Sequence, residues 1–255
     1  MRFASLGSGS RGNALVLEHG QTRLLLDCGF SATECERRLQ RLGLSGADID
    51  AVVVTHEHTD HWRGVARFSR RWQLPVWLTP GTQAATRADA CDMIELYSPH
   101  EAFAIGDFEL TPCPVPHDAR EPAQFIIGNG DLRLGVLTDL GYVTPHVRHM
   151  IDRCDALVLE ANHDVDMLAN GPYPPQLKRR VSGRLGHLSN TQAAAFLRTL
   201  DYSRLQHLVA AHVSEKNNHP DLVRSALAAA VNSDGSWVHV ASQQEGLSWR
   251  SLSSR

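Results

Sequence analysis

The sequence predicts a layered α/β protein, because short apolar strands alternate with amphipathic helical segments along its 255 residues. The composition is that of a folded chain, with 42% hydrophobic and 21% charged residues. In addition, several predicted strands run directly into a residue of a type that binds metal ions. There is no heptad pattern and no proline-rich linker. We therefore predict one domain that spans residues 1–255.

The first half of the chain contains predicted strands separated by helices. Each predicted strand is a short run of apolar residues, or of alternating apolar and polar residues. A turn residue such as Gly, Asp or Thr follows it. The apolar residues of the helices recur at helical spacing. The predicted strands cover 14–19, 22–29, 51–55 and 75–79, and the predicted helices cover 32–43 and 62–72.

The second half repeats this arrangement. Predicted strands cover 108–115, 124–130, 132–139, 156–161, 207–213, 236–242 and 246–252, and a predicted helix covers 189–200. Strand ends that meet at one edge of a layered α/β protein are a usual place for a functional site. The polar residues at such ends are Asp27, His56, His117, Asp139, Glu160 and His212.

The bulk properties limit the partners of the chain. The formal net charge is −3, so no global charge attracts a polyanion or an anionic membrane, and any polyanion must be held locally. No apolar run is long enough to cross a bilayer or to act as a secretory signal, which favours a cytoplasmic protein without a membrane role. The five cysteines are scattered without a C-x-x-C pair, so we expect reduced, buried thiols.

The six residues His-Glu-His-Thr-Asp-His at 56–61 carry the strongest chemical signal. In an extended segment, residues two apart point the same way, so His56 and His58 would face one cation. Asp60 and His61 would then face a second one. This mixture of nitrogen and oxygen ligands suits a divalent metal ion. The alternative is a solvated surface loop that happens to be rich in histidine.

This segment resembles the H-x-H-x-D-H hallmark of the metallo-β-lactamase superfamily. The resemblance implies a four-layer α/β/β/α sandwich with two mixed sheets and a site at one edge of them. It favours hydrolysis, because redox members of the superfamily have Glu where this chain has His58. It also implies three later ligands. Each of them, considered alone, could instead be a side chain that forms a hydrogen bond within the core or a cap. By resemblance, His56, His58 and His117 would hold one metal, Asp60, His61 and His212 the other, and Asp139 would bridge them.

Segments 159–164, 186–190 and 212–218 resemble the nuclease branch of this superfamily. In such relatives a glutamate positions a histidine that protonates the leaving oxygen, and Glu160 and His187 stand at the matching positions. Asp60 would orient the attacking hydroxide. The alternative for His187 is a residue that simply precedes a helix capped by Ser189 or Asn190. His163 could support this pair or contact substrate.

Segments 5–13, 24–31, 116–122 and 160–164 together resemble the YycJ/WalJ-type branch, which is associated with 5′-to-3′ exonuclease action on DNA. This resemblance implies DNA as the partner and two divalent metal ions, zinc or manganese, with iron and nickel as alternatives. Segment 5–13 could bind phosphate or form a hairpin connection. A basic stretch could contact the phosphate backbone or form a solvated helix face; it comprises Lys178, Arg179, Arg180 and Arg184.

Three other functions remain open at this stage. A small-molecule phosphodiesterase and a thioester or lactam hydrolase would use the same metal cluster, because two metals that share one hydroxide serve each of these reactions. A degenerate metal-binding module without catalysis is the third. The oligomeric state is not predicted.

Overall fold

A computed structural model of the chain describes residues 1–86 and 88–254. Two seven-stranded sheets make up its centre. In spatial order, the first sheet contains β14 (Leu247–Ser251), β1 (Arg2–Gly7), β2 (Ala14–His19), β3 (Thr22–Leu26), β4 (Ala51–Val53), β5 (Val76–Leu78) and β6 (Ile94–Leu96). The second contains β13 (Val238–Val240), β12 (His207–Ala211), β11 (Ala156–Glu160), β10 (Arg133–Leu137), β9 (Ala123–Gly128), β8 (Phe108–Pro114) and β7 (Phe103–Ile105).

The helices connect these strands. Those of the first half are α1 (Ala32–Arg41), α2 (Thr59–Trp62), α3 (Val65–Trp72) and α4 (Pro80–Ala85). Those of the second half are α5 (Pro145–Ile151), α6 (Val165–Asn170), α7 (Pro175–Val181), α8 (Asn190–Leu197) and α9 (Pro220–Ala230). Within the described ranges, no helix is both long and apolar enough to cross a membrane.

Both sheets are mixed in the same way. The strands β14, β1, β2 and β3 pair antiparallel, and β3 through β6 pair parallel. In the second sheet, β7 through β10 pair antiparallel and β10 through β13 pair parallel. Parallel neighbours end at the same edge of a sheet. The residues that follow β10, β11 and β12 therefore lie side by side.

Three apolar clusters define four layers. Between the sheets, Phe3 and Leu24 of the first sheet share a core with Phe125 and Val158 of the second. Outside the first sheet, α1 and α3 pack through Leu39 and Phe68. Outside the second sheet, α5, α8 and α9 pack through Val147, Phe196 and Leu227. The α/β/β/α sandwich with two mixed sheets is confirmed, while one domain over 1–255 stays a prediction.

One predicted helix is two helices. Residues 62–72 read as a single helix that begins at Trp62, but the structure has α2 ending at Trp62 and α3 beginning at Val65. Gly64 separates them, and its backbone N–H donates to the carbonyl of Cys28. A Cβ on Gly64 would lie 2.1 Å from the carbonyl oxygen of Phe30, so the close approach requires glycine. Periodicity alone does not reveal this contact.

All five cysteines are buried, as expected. Cys113 is 0% exposed, and burial raises the pKa of its thiol to about 12. Burial likewise raises the pKa of the Cys154 thiol to about 11. Thiols of this kind are unreactive core groups.

Candidate metal centre

The hallmark segment crosses from β4 into a helix. Residues 54–58 continue beyond the strand, and α2 begins at Thr59, three residues before the predicted helix start. Asp60 therefore lies in the first turn, where a negative charge is favourable. The turn is held by neighbours, because Asn13 N–H donates to the Asp60 carbonyl at 2.8 Å and Cys28 N–H donates to the His61 carbonyl at 2.9 Å.

His56, His58 and His117 form the first candidate metal group. Nδ1 of His58 lies 3.2 Å from Nε2 of His117. The opposite nitrogens of these two rings face backbone carbonyls, with His58 Nε2 3.2 Å from the Asp118 oxygen and His117 Nδ1 3.1 Å from the Gly186 oxygen. Donation to these carbonyls leaves a lone pair on each ring for a shared ligand. Among the described residues, His56 Nε2 is buried without a hydrogen-bond partner.

Asp60, His61 and His212 form the second group. Nε2 of His212 lies 3.1 Å from Oδ2 of Asp60. Nδ1 of His61 lies 2.7 Å from Oδ2 of Asp27, and that carboxylate also accepts the Thr55 hydroxyl at 2.8 Å. The Asp27 contact fixes the His61 ring and leaves its Nε2 facing the group.

Asp139 lies between the two groups. Its Oδ1 is 3.8 Å from His117 Nε2 of the first group and 3.6 Å from His212 Nε2 of the second. Its Oδ2 lies 3.1 Å from His61 Nε2 but has no partner with hydrogen-bond geometry in the described part of the chain. A buried carboxylate oxygen without such a partner is costly unless a cation faces it. The position fits the bridging role that the resemblance implies.

The electrostatics of the two groups differ. Burial lowers the pKa of His56 and of His117, so these rings are neutral and ready to bind metal. At His212 burial also acts to lower the pKa, but Asp139, Asp60 and Glu160 outweigh it and raise the pKa to about 10. Asp139 and Asp27 raise the pKa of His61 in the same way, against its burial.

The pKa values of Asp60 and Asp139 are lowered, which is the opposite of the change at His61 and His212. Burial acts to raise the pKa of Asp60, but the charge of His61 and the contact with His212 outweigh it and hold the pKa at about 2. The same balance, led by His212 and His61, holds the pKa of Asp139 well below its usual value. Both carboxylates are therefore anionic at neutral pH. Imidazoles beside the buried Asp139 carboxylate and the partly buried Asp60 carboxylate fit a divalent metal site by donor type and by their unpaired atoms.

We expect metal binding to depend steeply on pH. Without metal, His61 and His212 carry protons at neutral pH because their pKa values are raised, and a cation must displace those protons. Affinity for Zn²⁺ should therefore increase from about pH 6 to about pH 8, with release of about one to two protons as the site fills. Calorimetric titration in buffers of different ionisation enthalpy measures this release. An affinity independent of pH, with no proton released, would contradict the assignment of these two histidines.

Glu160 and His187 lie beside this cluster. His187 Nδ1 is 2.7 Å from Oε1 of Glu160, and the other carboxylate oxygen accepts the backbone N–H groups of Leu140 and Leu188 at 3.1 and 3.0 Å. Glu160 is fully buried. The ring of His187 stacks on that of His212, with centroids 5.1 Å apart. Its Nδ1 thus contacts Glu160, which leaves Nε2 as the ring nitrogen that could contact a substrate.

Two further segments were singled out in the sequence: residues 5–13 and the basic stretch. Segment 5–13 does form a connection between antiparallel β1 and β2, and it also supports the site, since Ser8 Oγ accepts the His212 N–H at 2.8 Å. In the basic stretch, Arg180 pairs with Asp118, with Nε 2.6 Å from Oδ2. Arg184 lies over the ring of Tyr142.

Sequence reasoning missed the supporting roles of three residues. Asn13 Nδ2 lies 3.1 Å from His61 Nε2 and 3.3 Å from Asp60 Oδ2. Asp27 was noted only as a polar strand end, yet it fixes His61. Asp118 adjoins His117 in the sequence, and its carbonyl faces His58. Adjacency to a proposed ligand was the signal for Asp118, whereas Asn13 carries no comparable signal.

A family model described as the beta-lactamase superfamily domain matches residues 22–212, which is most of the chain. The chain belongs to this superfamily, with the metallo-β-lactamase fold, and it is a metal-dependent hydrolase. It is 33% identical to exodeoxyribonuclease YycJ of Bacillus anthracis over 239 residues, which cover 92% of this chain and 90% of the relative. It is 32% identical to exodeoxyribonuclease WalJ of Streptococcus pneumoniae, over 89% of this chain and 86% of the relative.

A solved structure shows the same fold. The metallo-β-lactamase fold protein YhfI from Bacillus subtilis superposes with a TM-score of 0.75, and the alignment covers 98% of each chain at 14% identity. At this identity the likeness concerns the fold alone. The two relatives, not this likeness, place the chain among the YycJ/WalJ-type proteins of the superfamily.

Proposed function

We propose that this protein is a 5′-to-3′ exodeoxyribonuclease that uses two divalent metal ions, zinc or manganese, and acts on DNA in the cytoplasm. The single observation that carries the proposal is the placement of the Glu160–His187 pair against the ligand cluster. Phosphodiester hydrolysis needs a proton donor for a poor leaving group as well as an activated water. The two relatives, both named exodeoxyribonucleases, support DNA as the substrate.

The metal ions would be held by the two groups described above. His56, His58 and His117 would bind one cation, Asp60, His61 and His212 the other, and Asp139 would contact both. Bound there, two divalent cations would supply a hydroxide nucleophile near neutral pH and would neutralise charge on the reacting phosphate. Asp27 holds the His61 ring and the carbonyl of Asp118 holds the His58 ring, so the opposite ring nitrogens would be available to the cations.

The protein's own groups handle the protons. Asp60, anionic at neutral pH, lies in the second group with its Oδ2 facing His212, which suits it to accept a hydrogen bond from the attacking hydroxide and to orient it. His187 would protonate the departing oxygen from Nε2 as an imidazolium whose Nδ1–H faces the Glu160 carboxylate. Glu160 is itself fixed by two backbone N–H groups, so the imidazole cannot rotate away from the site.

The test is to incubate the metal-loaded protein with end-labelled single- and double-stranded DNA and RNA, in manganese and in zinc. We expect stepwise release of mononucleotides from the 5′ ends of DNA, and no release after chelation of the metal. Cleavage of a model diester without cleavage of any polymer would overturn the proposal in favour of a small-molecule phosphodiesterase. Turnover of a thioester or lactam alone would overturn it in favour of those hydrolases.

A further inference from the structure

The side chains of the candidate metal centre differ in exposure, which indicates where a substrate can approach. Those of His61 and Asp139 are 0% and 2% exposed. Those of His58, Asp60 and His187 are 24%, 22% and 18% exposed. The site therefore opens to solvent where these three side chains lie, and a substrate would reach the two groups through this opening.

One cation of the basic stretch lies at this opening. Arg180 donates to the Asp118 carboxylate through two atoms, with Nε 2.6 Å from Oδ2 and Nη2 3.2 Å from Oδ1. Oδ1 of Asp118 is also 3.7 Å from Nε2 of His117 and 3.7 Å from Nε2 of His58. The Asp118 carboxylate thus lies between the guanidinium and the first group, and it holds Arg180 at the edge of the site.

Arg180 brings a permanent positive charge to this edge. The hydrogen bond that it donates to Asp118 raises the pKa of Arg180 against its partial burial, and the charge of Asp60 raises that pKa further. Asp60 belongs to the second group, so the guanidinium lies near both groups. The Arg180 side chain is 57% exposed, so an approaching anion can reach it.

The end of α7 is fixed against the segment that carries the proposed general acid. The His187 N–H donates to the carbonyl of Val181 at 2.8 Å. A Cβ on Gly186 would lie 2.2 Å from the carbonyl oxygens of Arg180 and Val181, so the close approach of the two segments requires glycine. The position of Arg180 relative to His187 is therefore fixed by the backbone as well as by Asp118.

The other two cations of α7 have different surroundings. Lys178 lies two residues before Arg180, and residues two apart on a helix do not share a face. Its Nζ donates to the carbonyl of Ala169 in α6 at 2.6 Å. Arg179 is exposed. Among the described residues of α7, Arg180 is the cation that contacts a residue of the site.

We propose that Arg180 binds the backbone phosphate that is next along the DNA strand to the cleaved phosphate. The inference rests on the proposed exonuclease function and adds a substrate-positioning residue to it. The cleaved phosphate would lie between the two cations, and the Asp118 carboxylate separates the guanidinium from that place. The guanidinium N–H groups that do not face Asp118 can donate to phosphate oxygens. This contact would hold the strand so that its first linkage lies at the metal ions and beside His187.

The experiment measures release of the first nucleotide from 5′-phosphorylated single-stranded DNA by the metal-loaded protein. Two modified strands each lack the charge of one neighbour of the first linkage. One has a 5′-hydroxyl end, and the other has an uncharged methylphosphonate at the second linkage. The native protein should have a kcat/KM about tenfold lower on one of these strands, because it loses one charge-assisted contact. Arg180→Met should be about tenfold slower on the unmodified strand and should lose that difference.

Salt dependence and two further variants test whether the effect is specific. For one lost phosphate contact, the slope of log kcat/KM against log salt concentration should become about 0.7 less negative in Arg180→Met. Arg179→Met is the matched control on the same helix, and it should behave as the native protein. Arg180→Met also leaves the Asp118 carboxylate without its partner, so the double variant Asp118→Asn/Arg180→Met should retain the loss. The metal content of every variant is measured on the same sample.

The outcomes separate this inference from the proposed function. Equal rates of the native protein on the three strands, or an unchanged difference in Arg180→Met, would overturn the contact while showing exonuclease action. The same loss in Arg179→Met would overturn it as an effect of diffuse charge. Native rates in the double variant would overturn it as repulsion by Asp118, and loss of metal in Arg180→Met would overturn it as damage to the metal site. Absence of DNA hydrolysis by the native protein in zinc and in manganese would instead remove the exonuclease function itself.

Discussion

Replacing Asp60 by Ala should abolish turnover, with a loss of at least about 10³-fold in the single-turnover rate. The carboxylate serves twice in the proposed site, as a metal ligand with His61 and His212 and as the group that orients the nucleophile. Its charge persists at any pH of assay because its pKa is about 2. Quench-flow measurement on 5′-labelled DNA, together with metal analysis of the purified variant, checks the result.

The fold should survive this change. The shorter contact that holds the turn is made by the carbonyl of Asp60, which accepts from Asn13 N–H at 2.8 Å, whereas Asn13 Nδ2 lies 3.3 Å from its carboxylate. The side chain of Asp60 is 22% exposed, so its removal leaves no sealed cavity. The matched control is Glu57→Gln in the same segment, since the Glu57 carboxylate accepts from the Arg120 N–H instead of facing the cluster. Near-native turnover by Asp60→Ala would refute its role.

Replacing His187 by Ala should slow the chemical step by about 10²- to 10⁴-fold without loss of bound metal. The ring is held by Glu160 beside the cluster and is not one of the seven proposed ligands. The defect should be much smaller on a p-nitrophenyl ester of thymidine 5′-monophosphate, because that leaving group departs without protonation. Rates on the two substrates, with metal content measured on the same sample, test this prediction.

Glu160→Gln is a second variant for the same role. It removes the charge that fixes the imidazole, while the amide oxygen can still accept from the backbone N–H groups of Leu140 and Leu188. We expect a smaller defect with the same dependence on the leaving group. If His187→Ala lost its metal and its fold, the ring would be structural and the general-acid assignment would be wrong.

The fold was largely predictable because most strands are buried and therefore apolar. The run at 14–19 matches β2 residue for residue, and the runs at 108–115 and 156–161 match β8 and β11 to within one residue. Strand β1 was missed although it is buried, because only Phe3 and Leu6 of its six residues are large and apolar. Strands β6 and β7 were missed because they are not buried. They lie at the sheet edges with their side chains partly exposed, so they lack a distinct apolar pattern.

The candidate site was predictable where its residues are contiguous. The segment at 56–61 brings four ligand types together within six residues, so spacing alone indicates a metal site. His117, Asp139 and His212 needed the family resemblance, because each alone is an ordinary polar residue after a strand. Asn13 was not predictable, since its contacts with Asp60 and His61 arise only when the loop after β1 meets the start of α2.

The two metal groups draw on both halves of the sandwich. The segment at 56–61 follows β4 of the first sheet, whereas Asp139 and His212 follow β10 and β12 of the second. A cation bound by His61 and His212 would therefore link the two sheets, much as a disulfide links two segments of a chain. Removing the cation would allow the two sheets to separate at this edge. The free energy of unfolding and the hydrolytic activity would therefore decrease together.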